Sequence, residues 1–192
     1  TSYSLEKLQA GDRAEFALIV DEYSGLIYRL GLKMLDNPQD AEDVLQETFI
    51  KAYKALPRFD GRSSISTWLY RIATNEALMV IRKRKGVEIS IEDPAGDNQP
   101  LEEPMQIKDW CCLPESELMS VEAKEYLKLA VDKLPEKLRV VFVLRDLEGL
   151  TTRETAQVLN LTETAVKTRL SRARLKLREL LTEYYGERVN EQ

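Results

Sequence analysis

Side chains able to carry out a reaction are scarce in this sequence. It contains no histidine, which removes Cys/His zinc sites, Ser-His-Asp triads and histidine general bases. Its two cysteines, Cys111 and Cys112, are adjacent, a spacing that rarely closes into an unstrained disulfide. No P-loop and no GxGxxG pattern is present, and no pair of carboxylates is placed to work together. The residue types point instead to binding. The stretch TAVKTRLSRARLKLREL, residues 164–180, carries Lys167, Arg169, Arg172, Arg174, Lys176 and Arg178 against the single acid Glu179. The whole chain is acidic, with 28 Lys+Arg against 33 Asp+Glu and a net charge of −5, so this concentration of positive charge asks for a ligand.

A run of cations alone usually means a solvated helix face. Here it sits in a more specific setting, LTTRETAQVLNLTETAVKTRLSRARLKL. Thr151 and Glu154 have the spacing of a capping box at a helix start. Ala156 is small where two helices could cross closely, Asn160-Leu161 suits a tight turn, and Thr162 with Glu163 fits the start of a second helix. Two helices joined by such a turn form the DNA-reading helix-turn-helix. Stepping about 100° per residue along the second helix gathers Val166, Leu170, Ala173, Leu177 and Leu180 on a core face. Lys167, Thr168, Ser171, Arg172 and Arg178 fall opposite, with Arg169, Arg174 and Lys176 on the flanks. In a major groove, Lys167, Thr168, Ser171 and Arg172 would meet base edges and the flanking cations would meet phosphates.

The N-terminal half offers three further surfaces. In DAEDVLQETF, the acids Asp40, Glu42, Asp43 and Glu47 surround an apolar stripe. Such a face repels DNA and suits a basic protein partner. In RFDGRSSISTWLYRIATN, Phe59, Trp68 and Tyr70 alternate with Arg58, Arg62 and Arg71, a mixture that fits a single strand with unstacked bases. Gly61 and the serines allow close backbone approach, whereas Trp68 is assigned to packing. The run Arg82, Lys83, Arg84, Lys85 either closes a helix C-terminus or binds duplex phosphates.

The elements that position these groups are predicted to be helices. FALIVDEYSGLIYRLGLKML spaces Phe16, Ile19, Val20, Tyr23, Ile27, Leu30 and Met34 by three and four, and Asn37-Pro38 ends that helix. A second helix, DAEDVLQETFIKAYKAL, follows, and ISTWLYRIATNEALMVIRKRK forms a third after a short loop. From Glu88 to Glu125 there are eleven acids, opposed by Lys108 and Lys124 and interrupted by prolines, as expected of an extended acidic linker. Helix is expected to resume near Pro114. The apolar run in KLRVVFVLRDLEGL reads as a buried helix, although Val140–Val143 also fits a strand. The fold class is therefore all-α, with an N-terminal helical bundle (1–86), an acidic, largely irregular linker (87–114) and a C-terminal helix-turn-helix domain (115–192). With no signal-peptide pattern and no apolar run of roughly 20 residues, a cytoplasmic protein without membrane insertion is expected.

Taken in order, these motifs resemble a bacterial extracytoplasmic-function (ECF, group 4) RNA polymerase sigma factor over nearly the whole chain. DNPQDAEDVLQETFIKAYKAL resembles the segment that docks on the β′ clamp coiled coil of core RNA polymerase. FDGRSSISTWLYRIATN resembles the segment that melts and reads the −10 promoter element. LPEKLRVVFVLRDLEGLTTRETAQVLNLTETAVKTRLSRARLKLREL resembles the domain that reads the −35 element. The resemblance implies contacts to core polymerase, including its β subunit, from Asp40, Glu42, Asp43, Gln46 and Glu47. It implies −10 DNA contacts from Phe59, Asp60, Gly61, Arg62, Ser63, Ser64 and Asn75, to which Arg82, Lys83 and Arg84 of the basic run are added as candidate phosphate contacts. It implies −35 contacts from Lys167, Thr168, Ser171 and Arg172, to which the flanking Arg169 and Arg174 are added as phosphate contacts. The helix after RIATN departs from the family pattern, with Leu78 and Met79 where an acid and then basic residues are common. The resemblance further implies a non-enzymatic initiation factor of the stress-response type, without cofactor or metal, and an anti-sigma partner that could hold it at the inner membrane. A stand-alone dimeric helix-turn-helix regulator fits the C-terminal half but leaves the acidic helix unexplained. A carboxylate enzyme or helical adaptor lacks any convergent acid pair.

Overall fold

The computed structural model describes residues 3–84 and 121–190, with the stretches 121–125 and 183–190 described as backbone only. The acidic linker, Cys111-Cys112 and the helix start expected near Pro114 lie outside the described residues. Among the described residues every regular element is helical, as the periodicities predict.

The N-terminal unit starts with α1 (Leu5–Gln9), which lies against the turn that follows α3. Helices α2 (Arg13–Leu35), α3 (Pro38–Ala55) and α4 (Ile65–Arg84) form a mutually packed bundle. Asp12 starts α2 by accepting hydrogen bonds from the amides of Ala14 and Glu15 at 2.9 and 3.1 Å. Asp36 ends it in the left-handed region at φ 51°. One residue later the Asn37 side chain accepts from the Asp40 amide at 3.1 Å, and Pro38 opens α3 where a missing N–H costs nothing. Gly31 makes this tight αα corner possible. A Cβ there would lie 3.1 Å from the Ala41 backbone and side chain, so a larger residue would push α2 and α3 apart. Ile19, Ile27, Leu30, Val44, Leu69 and Ala73 fill the space between the helices.

The C-terminal unit comprises α5 (Val121–Asp132), α6 (Glu136–Phe142), a π-helical turn (Val143–Leu147), α7 (Thr152–Leu159) and α8 (Glu163–Asn190). The run that also fitted a strand is helical. Val140, Val141, Phe142, Val143 and Leu144 are all buried, so the segment is apolar all round and carries no periodicity to reveal its state. It widens into the π turn, where the Glu148 amide reaches back to the Val143 carbonyl at 2.9 Å, and Gly149 at φ 74° releases the chain toward α7.

The two units pack against each other, chiefly through α4 and α7. Glu148, whose side chain is only 5% exposed, joins them. One carboxylate oxygen accepts from Lys33 of α2 at 2.5 Å and the other from the Tyr70 hydroxyl of α4 at 2.9 Å. Burial, and then this hydrogen bond to a carboxylate, push the Tyr70 hydroxyl well above the usual tyrosine range. Arg82 pairs with Glu136 at 3.4 Å, and Lys128 pairs with Asp36. No helix among the described residues is long and apolar enough to cross a membrane.

Candidate nucleic-acid and polymerase interfaces

The helix-turn-helix forms as its local sequence dictates. The Thr151 hydroxyl accepts from the Glu154 amide at 3.2 Å, and the Glu154 carboxylate accepts from the Thr151 amide at 2.8 Å. Donation from the Thr151 hydroxyl and backbone holds the Glu154 carboxyl below its ordinary range. Asn160 takes the left-handed conformation at φ 53°, which Asn tolerates better than most residues, and so turns the chain. Thr162 then caps α8, accepting from the Ala165 amide at 3.1 Å. Along α8, Val166, Leu170, Ala173 and Leu177 are buried. Lys167 and Ser171 are exposed, while Thr168, Arg169 and Arg172 are half-buried. These side chains thus form one connected polar face at the start of the helix.

Arg174 does not join that face as a free phosphate contact. Its guanidinium makes a two-point pair with Asp146 at 2.9 and 2.8 Å, and that hydrogen bonding raises its pKa. The π turn brings Asp146 under α8, a pairing that the periodicity of α8 alone does not reveal.

In the N-terminal unit the loop 59–64 sits between α3 and α4. Phe59, in the loop expected to contact −10 DNA, has a buried ring, 7% exposed, that lies 4.8 Å from that of Trp68. An aromatic ring gains more from this apolar pocket than from water, so Phe59 anchors the loop. The residues after it are presented outward. Asp60, Gly61, Arg62 and Ser64 are exposed and Ser63 is half-buried. Asp60 accepts from the Arg62 amide at 3.1 Å and pairs with its guanidinium at 3.0 Å. Gly61 adopts φ 73°, and the Ser64 hydroxyl accepts from the Thr67 amide at 3.1 Å to start α4.

On α4, Asn75 is exposed in a stripe with Arg71, Met79 and Lys83, spaced by four as one helix face requires. Met79, 47% exposed, is an apolar patch within this otherwise polar stripe. Arg82 and Arg84 are partly committed elsewhere. Arg82 reaches Glu136, while Arg84 pairs with Asp40 and donates to the Leu35 carbonyl at 3.0 Å. The Asp40–Arg84 pair joins a residue expected to meet polymerase to one expected to meet DNA. The α2–α3 corner places the start of α3 beside the end of α4, an adjacency that linear spacing does not reveal.

Glu42, Asp43, Gln46 and Glu47 all remain exposed on α3. Ile50 and Tyr53, 46% and 37% exposed, continue the surface. The sequence reading missed both. Ile50 lies three and four residues beyond Glu47 and Gln46, a spacing that could have identified it as an apolar extension of the acidic face. No group of three or more His, Cys, Asp or Glu side chains that could hold a metal occurs among the described residues.

Comparison with known proteins places this geometry. Residues 19–87 match the family model for Sigma-70 region 2, and residues 124–177 match that for Sigma-70, region 4. The chain is 38% identical to the ECF RNA polymerase sigma factor SigW of Bacillus subtilis, over 92% of this chain and 94% of that protein. The chain belongs to the sigma-70 family. This sigma factor is also 37% identical to the RNA polymerase sigma-H factor of Pseudomonas aeruginosa, over 88% of each chain. Its fold is similar to that of CnrH in complex with the cytosolic domain of CnrY, with TM-score 0.66, 24% identity and coverage of 93% of this chain and 95% of that one. It is similar also to the sigma factor RpoE in complex with the anti-sigma factor NepR from Bartonella quintana, with TM-score 0.61, 23% identity and coverage of 88% and 97%. The sigma factor carries an ECF-type region 2 in its N-terminal unit and region 4 in its C-terminal unit. Its role is promoter recognition in transcription initiation.

Proposed function

We propose that this sigma factor, of the ECF group 4 subclass, docks on core RNA polymerase through α3, reads −35 duplex DNA with α8, and captures unpaired −10 bases on the loop 59–64. The observation that carries the reading is the division of charge. An exposed acidic face on α3 is separated from an exposed cationic and polar face on α8, and the region matches run in the same order along the chain. Glu42, Asp43, Gln46 and Glu47 meet the basic partner, the β′ clamp coiled coil, with β contacts nearby. Asp40 becomes available when Arg84 turns to DNA. Lys167, Thr168, Ser171 and Arg172 read base edges, and Arg169 supports them at the backbone. Asp60, Gly61, Arg62, Ser63 and Ser64 hold the flipped base, while Asn75 and Lys83 line the adjoining strand.

The protein performs no covalent chemistry. Unstacking a base costs a few kcal/mol, and the captured base offsets that cost in the melted state. Each good bidentate base contact contributes about 1–3 kcal/mol of discrimination. The net negative charge keeps free binding to nonspecific duplex weak until polymerase joins. The boundaries 1–86, 87–114 and 115–192 divide promoter-melting, linking and −35-reading functions. An anti-sigma factor masks these surfaces, in keeping with the fold relative RpoE being in complex with the anti-sigma factor NepR, and on our reading it holds the protein at the inner membrane until a stress releases it. The test is reconstituted transcription. Adding this protein to core polymerase should yield promoter-specific transcripts from a genomic template, and no such transcript would refute the reading.

A further inference from the structure

We propose that α1 is a brace that sets the pose of the −10 capture loop, with Gln9 and Leu5 as positioning residues. The inference rests on the assignment of residues 59–64 as that loop. The loop's end is fixed by its own helix, through the Ser64 cap of α4. Its start is fixed from a distant part of the chain. The Gln9 side-chain amide donates to the Phe59 carbonyl at 2.8 Å, a contact 50 residues apart in sequence. Leu5, 37% exposed, places a methyl carbon 3.3 Å from where a Cβ on Gly61 would lie. Phe59 is thus held on two sides, its ring by Trp68 and its carbonyl by Gln9. The peptide plane leading into Asp60 follows from that fixation.

The brace is itself secured to the bundle. Leu8 is 1% exposed within the core. The Gly11 carbonyl accepts from the Tyr53 hydroxyl of α3 at 3.1 Å. The Ser4 amide donates to the Glu15 carboxylate of α2. A short helix that spends its own contacts on α2, α3 and the loop ties loop geometry to the rigid bundle. A capture loop ordered in advance gives up less conformational freedom when a base enters, and so binds it more tightly and with sharper discrimination. Gln9 and Leu5 act through the loop and do not themselves touch the base.

The experiment uses the full chain reconstituted with core polymerase. The probe is fluorescein-labelled fork-junction DNA with a single-stranded −10 region, taken from a promoter that the wild-type holoenzyme transcribes. Gln9 is exposed, so Gln9→Ala should fold. It should weaken fork-junction binding about fivefold to tenfold and reduce discrimination against a base-substituted −10 strand by a similar factor. Leu5→Ala should add to the loss, while affinity for core polymerase and for −35 duplex stays at the wild-type level. Asp60→Ala/Arg62→Ala tests the loop assignment separately. If that pair weakens fork-junction binding and neither α1 variant does, the brace is wrong and the capture loop stands. If the loop pair has no effect, the capture assignment falls and the brace falls with it. Equal losses at core, −35 duplex and fork junction in Gln9→Ala would show general damage and overturn the positioning role.

Discussion

The two surfaces we propose for DNA differ in what holds them. On α8 the side chains proposed to read bases stand opposite a continuous core stripe, Val166, Leu170, Ala173 and Leu177, so one helix would both fold and read. The −10 surface is a loop whose pose comes from four separate places: the Trp68 ring, the Ser64 cap, the left-handed Gly61 and the Gln9 contact. The first arrangement suits a duplex groove of fixed shape, and the second suits a single flipped base. A helix-borne reader takes its pose from its own periodic stripe, packed on α6 and α7. A loop-borne reader has no stripe of its own and depends on several separate contacts, one of them 50 residues away in sequence.

The largest expected effect separates both readers from the polymerase face. Asp43→Lys with Glu47→Lys puts cations where a basic partner must dock, and like-charge juxtaposition costs several kcal/mol. Core affinity, measured by fluorescence anisotropy, should fall on the order of 100-fold or more. Binding of −35 duplex by the isolated chain should not fall, since α8 is untouched. Unchanged core affinity would remove α3 from the docking assignment.

Next in size is a direct contrast of the readers. Lys167→Ala should cost about 1–3 kcal/mol of −35 affinity if it reads a base edge, with relaxed specificity at that position. A uniform loss across sequences, with the salt slope reduced by about 1, would make it a phosphate contact. Neither result should alter binding of a single-stranded −10 template. Arg62→Ala should do the reverse, weakening the single-stranded template and sparing the duplex.

The contrast also explains what was legible in the sequence. Helix-turn-helix, caps and the two faces of α8 could be read because capping, turn and periodicity are local signals. Thr151, Asn160, Thr162 and the Val166–Leu177 stripe all carry them. The burial of Phe59 was not legible, because it depends on Trp68 folding back across the loop. The capture of Arg174 by Asp146 and the meeting of Arg84 with Asp40 were equally hidden, since each pairs residues from different elements. Ile50 was overlooked for another reason. It lies outside the core stripe, on the acidic face, where the charged residues drew the assignment and a single apolar side chain did not.

The join between the units gives a third, smaller test. It contrasts with the cores on either side. The contacts across it include the buried Glu148 with its donors Lys33 and Tyr70 and the pairs Arg82–Glu136 and Lys128–Asp36, and a join that relies on such polar groups is held less firmly than an apolar core. Glu148→Ala removes the acceptor shared by Lys33 and Tyr70. With Lys33 partly exposed, the loss is about 1–2 kcal/mol of packing between the units, visible as an increased radius in small-angle scattering. Because the folded-state pKa of Tyr70 is raised, its contribution is complete below the ordinary tyrosine pKa of about 10 and is lost as pH rises through the raised value. Tyr70→Phe should abolish that alkaline expansion. An identical alkaline response in the variant would assign it to other groups.

The smallest effect tests how robust a helix-borne reader is. Thr151→Ala removes the side-chain half of the α7 capping box and should cost about 1 kcal/mol, a fall in Tm of roughly 2–4 °C for a chain of this size. It should also change the acid limb of stability. The Glu154 pKa is lowered chiefly by the Thr151 hydroxyl. Its contribution is therefore present above the unfolded glutamate pKa of about 4.3 and disappears as pH falls through the lower folded value. In Thr151→Ala that acid-dependent part of the Tm curve should shrink. The −35 affinity at neutral pH should change less than twofold, on the order of 0.4 kcal/mol or below, because α8 keeps its own Thr162 cap and its buried stripe. A large loss of −35 binding from this distant cap would mean that α8 is positioned through α7 as the −10 loop is positioned through α1, and the contrast between the two readers would disappear.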